Sequence, residues 1–349
     1  MAAAAIRDAR RSAESLAATI RLRDWWDYKL SPLLAIFWGV ALGRGAALLP
    51  LTGSALALIA AIGVCAVFVS VLNDITDVSV DRLAGKANRM GGRSAAARAL
   101  LVGIPALIGL AIAAAWSDDP ALCAAYVGAF AAFSAYSLPP LRLKCRGALG
   151  AIADAAGAHL FPTLTAVLLA CASIGVGPDP LLLAAAATWA LALGLRGILW
   201  HQLADVEADE RASVRTLPRS MGSERAARLG ERVVFPAELA ALGILLWWME
   251  AAAGFAFLVL HLGVLYFRAR HQGVTPAVVR PRAGAVIALH EYYAMWLPAA
   301  IILQSALHHP EDLLLLPLLA VLFRKFARQA AGEIWRMLPP ARRARRTSS

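Results

Sequence analysis

A chain of 349 residues with 60% apolar and only 16% charged residues, and a mean hydropathy of +0.64, is not a water-soluble domain. Soluble proteins hold about 45–50% apolar residues, and here the excess runs through the whole length, which calls for many membrane spans and not one anchor. The net charge of +11 does not mark a nucleic-acid binder, because the basic residues lie in several loops and at both ends, without aromatic interleaving or a zinc-ligand pattern.

In chain order, residues 1–29 alternate basic and apolar positions (Arg7, Arg10, Arg11, Arg21, Arg23) and carry Trp25 and Trp26. They lack a signal-peptide cleavage pattern and read as an amphipathic helix lying in the cytoplasmic interface. Arg23 or Lys29 could reach a phosphate from there. A span needs about 20 apolar residues to cross ~30 Å of hydrocarbon. Runs 30–48, 54–72, 99–116, 121–138, 149–170, 181–200, 233–248, 252–267 and 284–303 qualify, and 313–323 is a shorter tenth. With the N-terminus inside, loops 82–98, 141–147, 211–232 and 268–282 are inside and rich in Lys or Arg. Outside loops are short and nearly free of them, Arg44 being the exception, so the alternation obeys the positive-inside rule. The expected fold is all-α, a polytopic transmembrane helix bundle of nine or ten spans. It divides into an interfacial segment 1–29, a bundle 30–303, and a C-terminal part 304–349 ending in a basic tail. Cys65, Cys123, Cys145 and Cys171 show no CxxC or metal spacing, and those in apolar runs read as packing residues.

The second run ends in Asn73-Asp74-Ile75-Thr76-Asp77-Val78-Ser79-Val80-Asp81-Arg82, followed by Lys86 and Arg89. On a continuous helix Asp74, Asp77 and Asp81 fall at i, i+3 and i+7 and share a face. Like charges there repel and are costly to desolvate, and a hard divalent cation such as Mg²⁺ removes that cost. The pattern returns at the end of the sixth run. Laid without gaps, Asn73 falls on His201, Asp74 on Gln202, Asp77 on Asp205, Asp81 on Asp209 and Gly85 on Ser213. The chain therefore reads as two pseudo-repeated halves, each delivering a carboxylate pair to the same side of the membrane. Asp154, His159, Arg196, Glu238, His290 and Glu291 lie within the spans, where burial is expensive. Arg196, one turn before His201, or Asp154 would line the cavity, while Glu291, Tyr292 and Tyr293 read as structural.

The motif Asn73 to Asp81, the pair Asp205 and Asp209 with the later Thr216, and Tyr136-Ser137-Leu138-Pro139-Pro140-Leu141-Arg142-Leu143-Lys144 between them together resemble the UbiA superfamily of intramembrane prenyltransferases. Met90 and Ser213 depart from that pattern, standing where members commonly carry Pro and Gly, and bear on loop conformation. The resemblance implies a nine-span bundle and Mg²⁺-dependent transfer of a prenyl group from a prenyl diphosphate to a lipophilic or aromatic acceptor of the quinone-precursor type, in the membrane. Metal ligation falls to Asn73, Asp74, Asp77, Asp81, Asp205 and Asp209, and diphosphate binding to Asn73, Arg82, Lys86, Arg89, Arg142, Lys144 and Arg196. Tyr136 would face the allylic cation, which an aromatic ring stabilises by ~0.5–2 kcal/mol. Polyprenyl-phosphate phosphoribosyl transfer and terpene cyclisation use the same motifs. A divalent-cation transporter is the non-enzymatic alternative, opposed by the clustering of acidic residues on one side. Besides the prenyl diphosphate and the acceptor, membrane lipid is the expected partner. The Ala- and Arg-rich composition points to a bacterial cytoplasmic membrane, with the site facing the cytoplasm.

Overall fold

The computed structural model describes residues 17–325, together with residues 328 and 332. Arg7, Arg10, Arg11 and the basic tail around 342–346 lie outside the described residues. The helices run in order α1 (Leu22–Trp25), α2 (Ser31–Leu42), α3 (Thr52–Thr76), α4 (Val78–Leu83), α5 (Ala95–Ala115), α6 (Pro120–Ser137), α7 (Ala148–Ala155) and α8 (Phe161–Ser173). The second half continues with α9 (Pro180–Ala204), α10 (Val206–Arg211), α11 (Leu217–Met221), α12 (Ser223–Leu229), α13 (Phe235–Trp248), α14 (Ala252–His271), α15 (Leu297–Ser305) and α16 (Leu315–Leu322). Among the described residues, six helical stretches are long and apolar enough to cross a membrane: Leu49–Thr76, Ala95–Ala115, Pro120–Ser137, Ala148–Ser173, Pro180–Ala204 and Ala252–His271.

Several rods, including Ala148–Ser173, are interrupted by a device the apolar runs conceal. Among the described residues, five-residue π-turns occupy Trp26–Leu30, Ala156–Leu160, Gly230–Val234 and Tyr292–Trp296. Each is followed by one residue and then a proline: Pro32, Pro162, Pro236 and Pro298. A proline has no N–H for the carbonyl four residues back and its ring collides with that carbonyl. Widening the preceding turn removes the collision, and the N–H groups of Phe161, Phe235 and Leu297 bond five residues back, to Ala156, Gly230 and Tyr292. In a membrane the freed carbonyl needs another donor. For Pro298 that carbonyl is Ala294, and the Ser31 hydroxyl donates to it at 2.6 Å, joining two kinked rods.

Helix α2 is the inner rod, buried at every position from Ser31 to Ala41, and it packs against α8 and α15. At the other extreme, α5 exposes Leu100, Leu107 and Leu110 at 62–68%, as a lipid-facing surface does. The run expected at 284–303 does not start as helix. Gly284 has φ of +71°, and Ala285–Ile287 pairs in parallel with Thr275–Ala277 in a small surface ladder. That loop is held down by Arg280, which donates to Glu224 and Glu231 at 2.6–3.2 Å, and by Val279, buried against Gly230 and Leu199. At the chain's far end, the buried Asp312 carboxylate accepts from the backbone N–H groups of Leu48 and Leu49 (2.7–3.0 Å) and from Ser305. After α16, Trp26 donates to Leu322 O at 2.7 Å and Lys325 to the Tyr28 hydroxyl at 2.9 Å. The segment thus runs along α2 from its end back to its beginning.

Arg196 departs from expectation. It is wholly buried, and its guanidinium grips Glu238 at 2.6 and 2.7 Å and donates to Ala288 O at 2.8 Å, while Tyr293 also donates to Glu238 at 2.8 Å. Each of its three nitrogens donates within this clamp between α9, α13 and the last kinked rod, and Arg196 does not line the cavity formed by the acidic motifs. Removing one partner of a buried pair leaves an uncompensated charge costing about 3–5 kcal/mol. Arg196→Met is therefore expected to lower the thermal midpoint of the detergent-solubilised protein sharply, and the double variant Arg196→Met, Glu238→Met to recover most of it. An unchanged midpoint in the single variant would contradict the clamp.

Candidate active site

Helix α3 stops at Thr76 because Asp77 leaves helical geometry (φ −103°, ψ 1°), and α4 restarts at Val78. The second motif breaks in the same way at Asp205 (φ −103°, ψ 9°), between α9 and α10. The correspondence holds bond by bond. Asp77 N donates to Asn73 O and Asp205 N to His201 O, both at 3.0 Å. Asp81 N donates to Asp77 O and Asp209 N to Asp205 O, both at 2.8 Å. Each motif closes with a left-handed residue, Gly85 (φ +70°) and Ser213 (φ +55°), after which Lys86 N and Val214 N bond back to Asp81 O and Asp209 O at 2.8 and 2.9 Å. The backbone repeat inferred from residue types is a repeat of conformation.

The break turns both carboxylate pairs into one cavity of about 210 Å³. Asp77, Asp81, Lys86, Tyr136, Arg142 and Lys144 line it from the first half, and His201, Asp205, Asp209 and Thr216 from the second. Lys144 donates to Asp77 at 2.5 Å and to the Thr76 hydroxyl at 3.0 Å, and Arg142 lies 3.8 Å from Asp77. Lys86 crosses between the halves and reaches Asp205 at 2.9 Å. Burial pushes the Lys144 ammonium below its ordinary pKa, opposed by the Asp77 charge. Burial likewise raises the Asp209 carboxyl, with Thr216 and Lys86 opposing and Asp205 adding to the rise. Both groups are therefore held in less water than their charges favour: an anion beside Lys144 would favour its charged form, and a cation beside Asp209 would favour the carboxylate.

Other expected site residues are placed elsewhere. Asp74 does not share the face of Asp77 and Asp81 on the cavity wall. It is buried and lies 3.5 Å from Arg21 and 3.6 Å from Arg89, because the helix on which the three would have lined up ends between them. Asn73 accepts from the Ser137 hydroxyl at 2.8 Å and ties α3 to α6. Arg82 is exposed and off the wall, and Arg89 faces Asp74. Asp154 is half-buried and off this wall too. Asn88 was missed. Its amide donates to Asp81 Oδ2 at 2.7 Å and to Asp74 O at 2.8 Å, and its carbonyl accepts from Met90 N at 2.8 Å. It thereby braces the loop on which Met90 is fully buried. A lone Asn in a basic loop carried no signal beyond the run Lys86-Ala87-Asn88-Arg89.

Among the described residues, no group of three or more His, Cys, Asp or Glu side chains is placed to hold a metal ion by itself. The donor set is two carboxylates per half. That suits Mg²⁺, which takes one or two carboxylates and leaves the rest of its sphere to water and phosphate oxygen.

The UbiA prenyltransferase family model matches residues 32–280. The chain belongs to the UbiA prenyltransferase family. No curated protein matched the sequence significantly. Among solved structures, a UbiA homolog from Archaeoglobus fulgidus bound to Cd²⁺ is similar with a TM-score of 0.52 at 17% identity, covering 82% of this chain and 99% of that one. The same homolog bound to GPP and Mg²⁺ gives a TM-score of 0.49 at 16% identity over 92% and 99% of the two chains. At this identity the likeness is one of fold.

In this family member, Ser213 holds the left-handed conformation that Gly85 holds in the first motif. A non-glycine residue pays roughly 1–2 kcal/mol there. Ser213→Gly is expected to raise the stability by ~1 kcal/mol, read as a higher thermal midpoint, whereas Gly85→Ser should lower it. The opposite signs would mean that the two turns are not equivalent.

Proposed function

We propose that this protein transfers a prenyl group from a prenyl diphosphate to an acceptor inside the membrane, with Mg²⁺ as cofactor. The observation that carries the reading is the convergence of two carboxylate pairs from two repeat halves, with Lys86, Arg142 and Lys144 among them, on one cavity at the end of a membrane bundle. Family membership supports it. Asp77 and Asp81 on one side, and Asp205 and Asp209 on the other, would hold Mg²⁺, which when bound supplies Lewis-acid neutralisation of the diphosphate charge.

The chain's own residues do the rest. Arg142 offers a planar fork and Lys144 and Lys86 point charges for the diphosphate oxygens. Lys144 and Lys86 now compensate Asp77 and Asp205, so they are already placed where negative charge collects and need only exchange one oxygen partner for another. Tyr136 lines the cavity, and its ring would stabilise an allylic cation formed there. Beyond the six long apolar stretches we read the kinked rods Trp26–Leu42, Gly230–Trp248 and Tyr292–Ser305 as further crossings. By the positive-inside rule the motif end faces the cytoplasm. We take the acceptor to be aromatic.

The test is diphosphate release by the purified protein from farnesyl diphosphate, with and without Mg²⁺ and with a set of phenolic acceptors. Mg²⁺-dependent release that needs an acceptor is expected. Asp77→Asn and Asp209→Asn should each reduce it by at least about 100-fold while the protein still purifies as a folded species. Release unaffected by both substitutions would overturn the assignment, and release without an acceptor would replace transfer by cyclisation or hydrolysis.

A further inference from the structure

The gapless overlay that sets Asp81 on Asp209 does not end at the left-handed turns. It carries Asn88 onto Thr216, Arg89 onto Leu217 and Met90 onto Pro218, with Asn88 and Thr216 each seven residues after the second Asp of its motif. The conformations keep pace with it. Arg89 lies 3.6 Å from the Asp74 carboxylate, and Leu217 N donates at 3.2 Å to the side-chain oxygen of Gln202, the residue equivalent to Asp74. Met90 and Pro218 are both buried. Each loop therefore returns to the same place on its long helix.

In the first half this return brings a donor to the second carboxylate. Asn88 spends one amide proton on Asp81 Oδ2 at 2.7 Å and the other on Asp74 O at 2.8 Å, while its carbonyl accepts from Met90 N. The amide cannot turn without losing all three bonds. Asp81 lines the cavity and Asn88 does not, so one oxygen of Asp81 is held from outside and Oδ1 is left for what enters. In the second half the equivalent donor is in place but its bond is not made. The Thr216 hydroxyl lines the cavity, is buried, and has no hydrogen-bond partner among the described residues. Its backbone is fixed, since Gly147 N donates to Arg215 O at 2.8 Å and Ser220 N to Thr216 O at 3.0 Å. An unpaired buried hydroxyl is costly and calls for a partner that arrives with a ligand. Thr216 acts on Asp209 in the sense that favours the charged carboxylate.

The four carboxylates then divide in two. The first of each pair meets a cation, Asp77 from Lys144 and Asp205 from Lys86. The second of each pair has a neutral donor at the equivalent position, which orients it without cancelling its charge. We propose that Asn88 and Thr216 are equivalent positioning residues: Asn88 holds Asp81 ready for a divalent cation, and the Thr216 hydroxyl makes the matching bond to Asp209 once a cation draws that carboxylate into place. The proposal rests on the Mg²⁺-dependent reading above. A carboxylate that ligates through one oxygen is better organised when the other is held, and losing such a partner typically costs about 10–100-fold in metal affinity.

The experiment uses the full chain in detergent with saturating geranyl diphosphate and Mn²⁺ as the probe, free Mn²⁺ being counted by its paramagnetic resonance signal. Thermal midpoints are measured separately without metal. Thr216→Val keeps the shape and removes a hydroxyl that has no partner, so a purely structural role predicts a midpoint equal to or above wild type and unchanged Mn²⁺ binding. The positioning role predicts that same midpoint with Mn²⁺ affinity lower by about 10-fold or more, and recovery of the affinity in Thr216→Ser. Asn88→Ala, compared well below its own midpoint, is expected to lose Mn²⁺ affinity to a similar extent. Wild-type Mn²⁺ affinity in Thr216→Val, or no recovery in Thr216→Ser, overturns the proposal. So does a loss confined to Asn88→Ala, which would show that the two positions are not equivalent. Wild-type protein that binds no Mn²⁺ in the presence of geranyl diphosphate removes the metal reading itself and the proposal with it, an outcome distinct from the others.

Discussion

Four carboxylates on the wall of one cavity, at the end of a membrane bundle, repel one another and resist desolvation, and much of the surrounding structure answers that one constraint. Each half breaks its helix at the first Asp, so that the pair falls on a short helix outside the long apolar rod. The first half supplies a cation to each side: Lys144 partly compensates Asp77 within that half, and Lys86 reaches across to Asp205. Coulomb attraction between groups at the edge of a low-dielectric bundle is modest per pair, but here each pair also sets the position of a donor for an anionic ligand. Burial raises the pKa of Asp209, and a cation beside it would oppose that rise.

Bending the rods is what makes room for the rest. Pro32, Pro162, Pro236 and Pro298 each follow a π-turn in the same register, and an extra residue per turn rotates the side chains that follow it. The carbonyl freed by Pro298 is satisfied between rods, by the bond from the Ser31 hydroxyl to Ala294. The same turns carry Lys29 and His159 and precede or include His290, Tyr292 and Tyr293. Polar chemistry at membrane depth is thus concentrated where the helix is already irregular. The Arg196–Glu238 clamp, by contrast, sits on regular helix, is fully satisfied, and serves the packing of α9 on α13.

The sequence made the repeat legible because its signal was chemical and collinear: a gapless overlay placed Asp77 on Asp205 and Asp81 on Asp209, and the backbone bonds follow that overlay. The helical class was legible from composition for a simple reason, since apolar residues on this scale have nowhere to go but lipid. What could not be read were events within one turn. Asp74, Asp77 and Asp81 share a face only on a continuous helix, and the break at Asp77 gives no sign in the residue types. Arg196 lies one turn before the motif, and nothing local says that its partner is Glu238, 42 residues on. The prolines were in view, yet a proline within an apolar run announces a kink without saying which carbonyl it frees or which side chain answers it.

The central claim is that the two halves hold one ligand between them. Non-additivity tests that most directly. Calorimetry would compare Mg²⁺-dependent binding of geranyl diphosphate to wild type, Asp81→Asn, Asp209→Asn and the double variant. If both carboxylates serve the same bound diphosphate, each single substitution removes most of the binding and the double variant loses little more. Losses that simply add, as they do for sites without shared partners, would show that the acidic pairs act separately and would contradict the account.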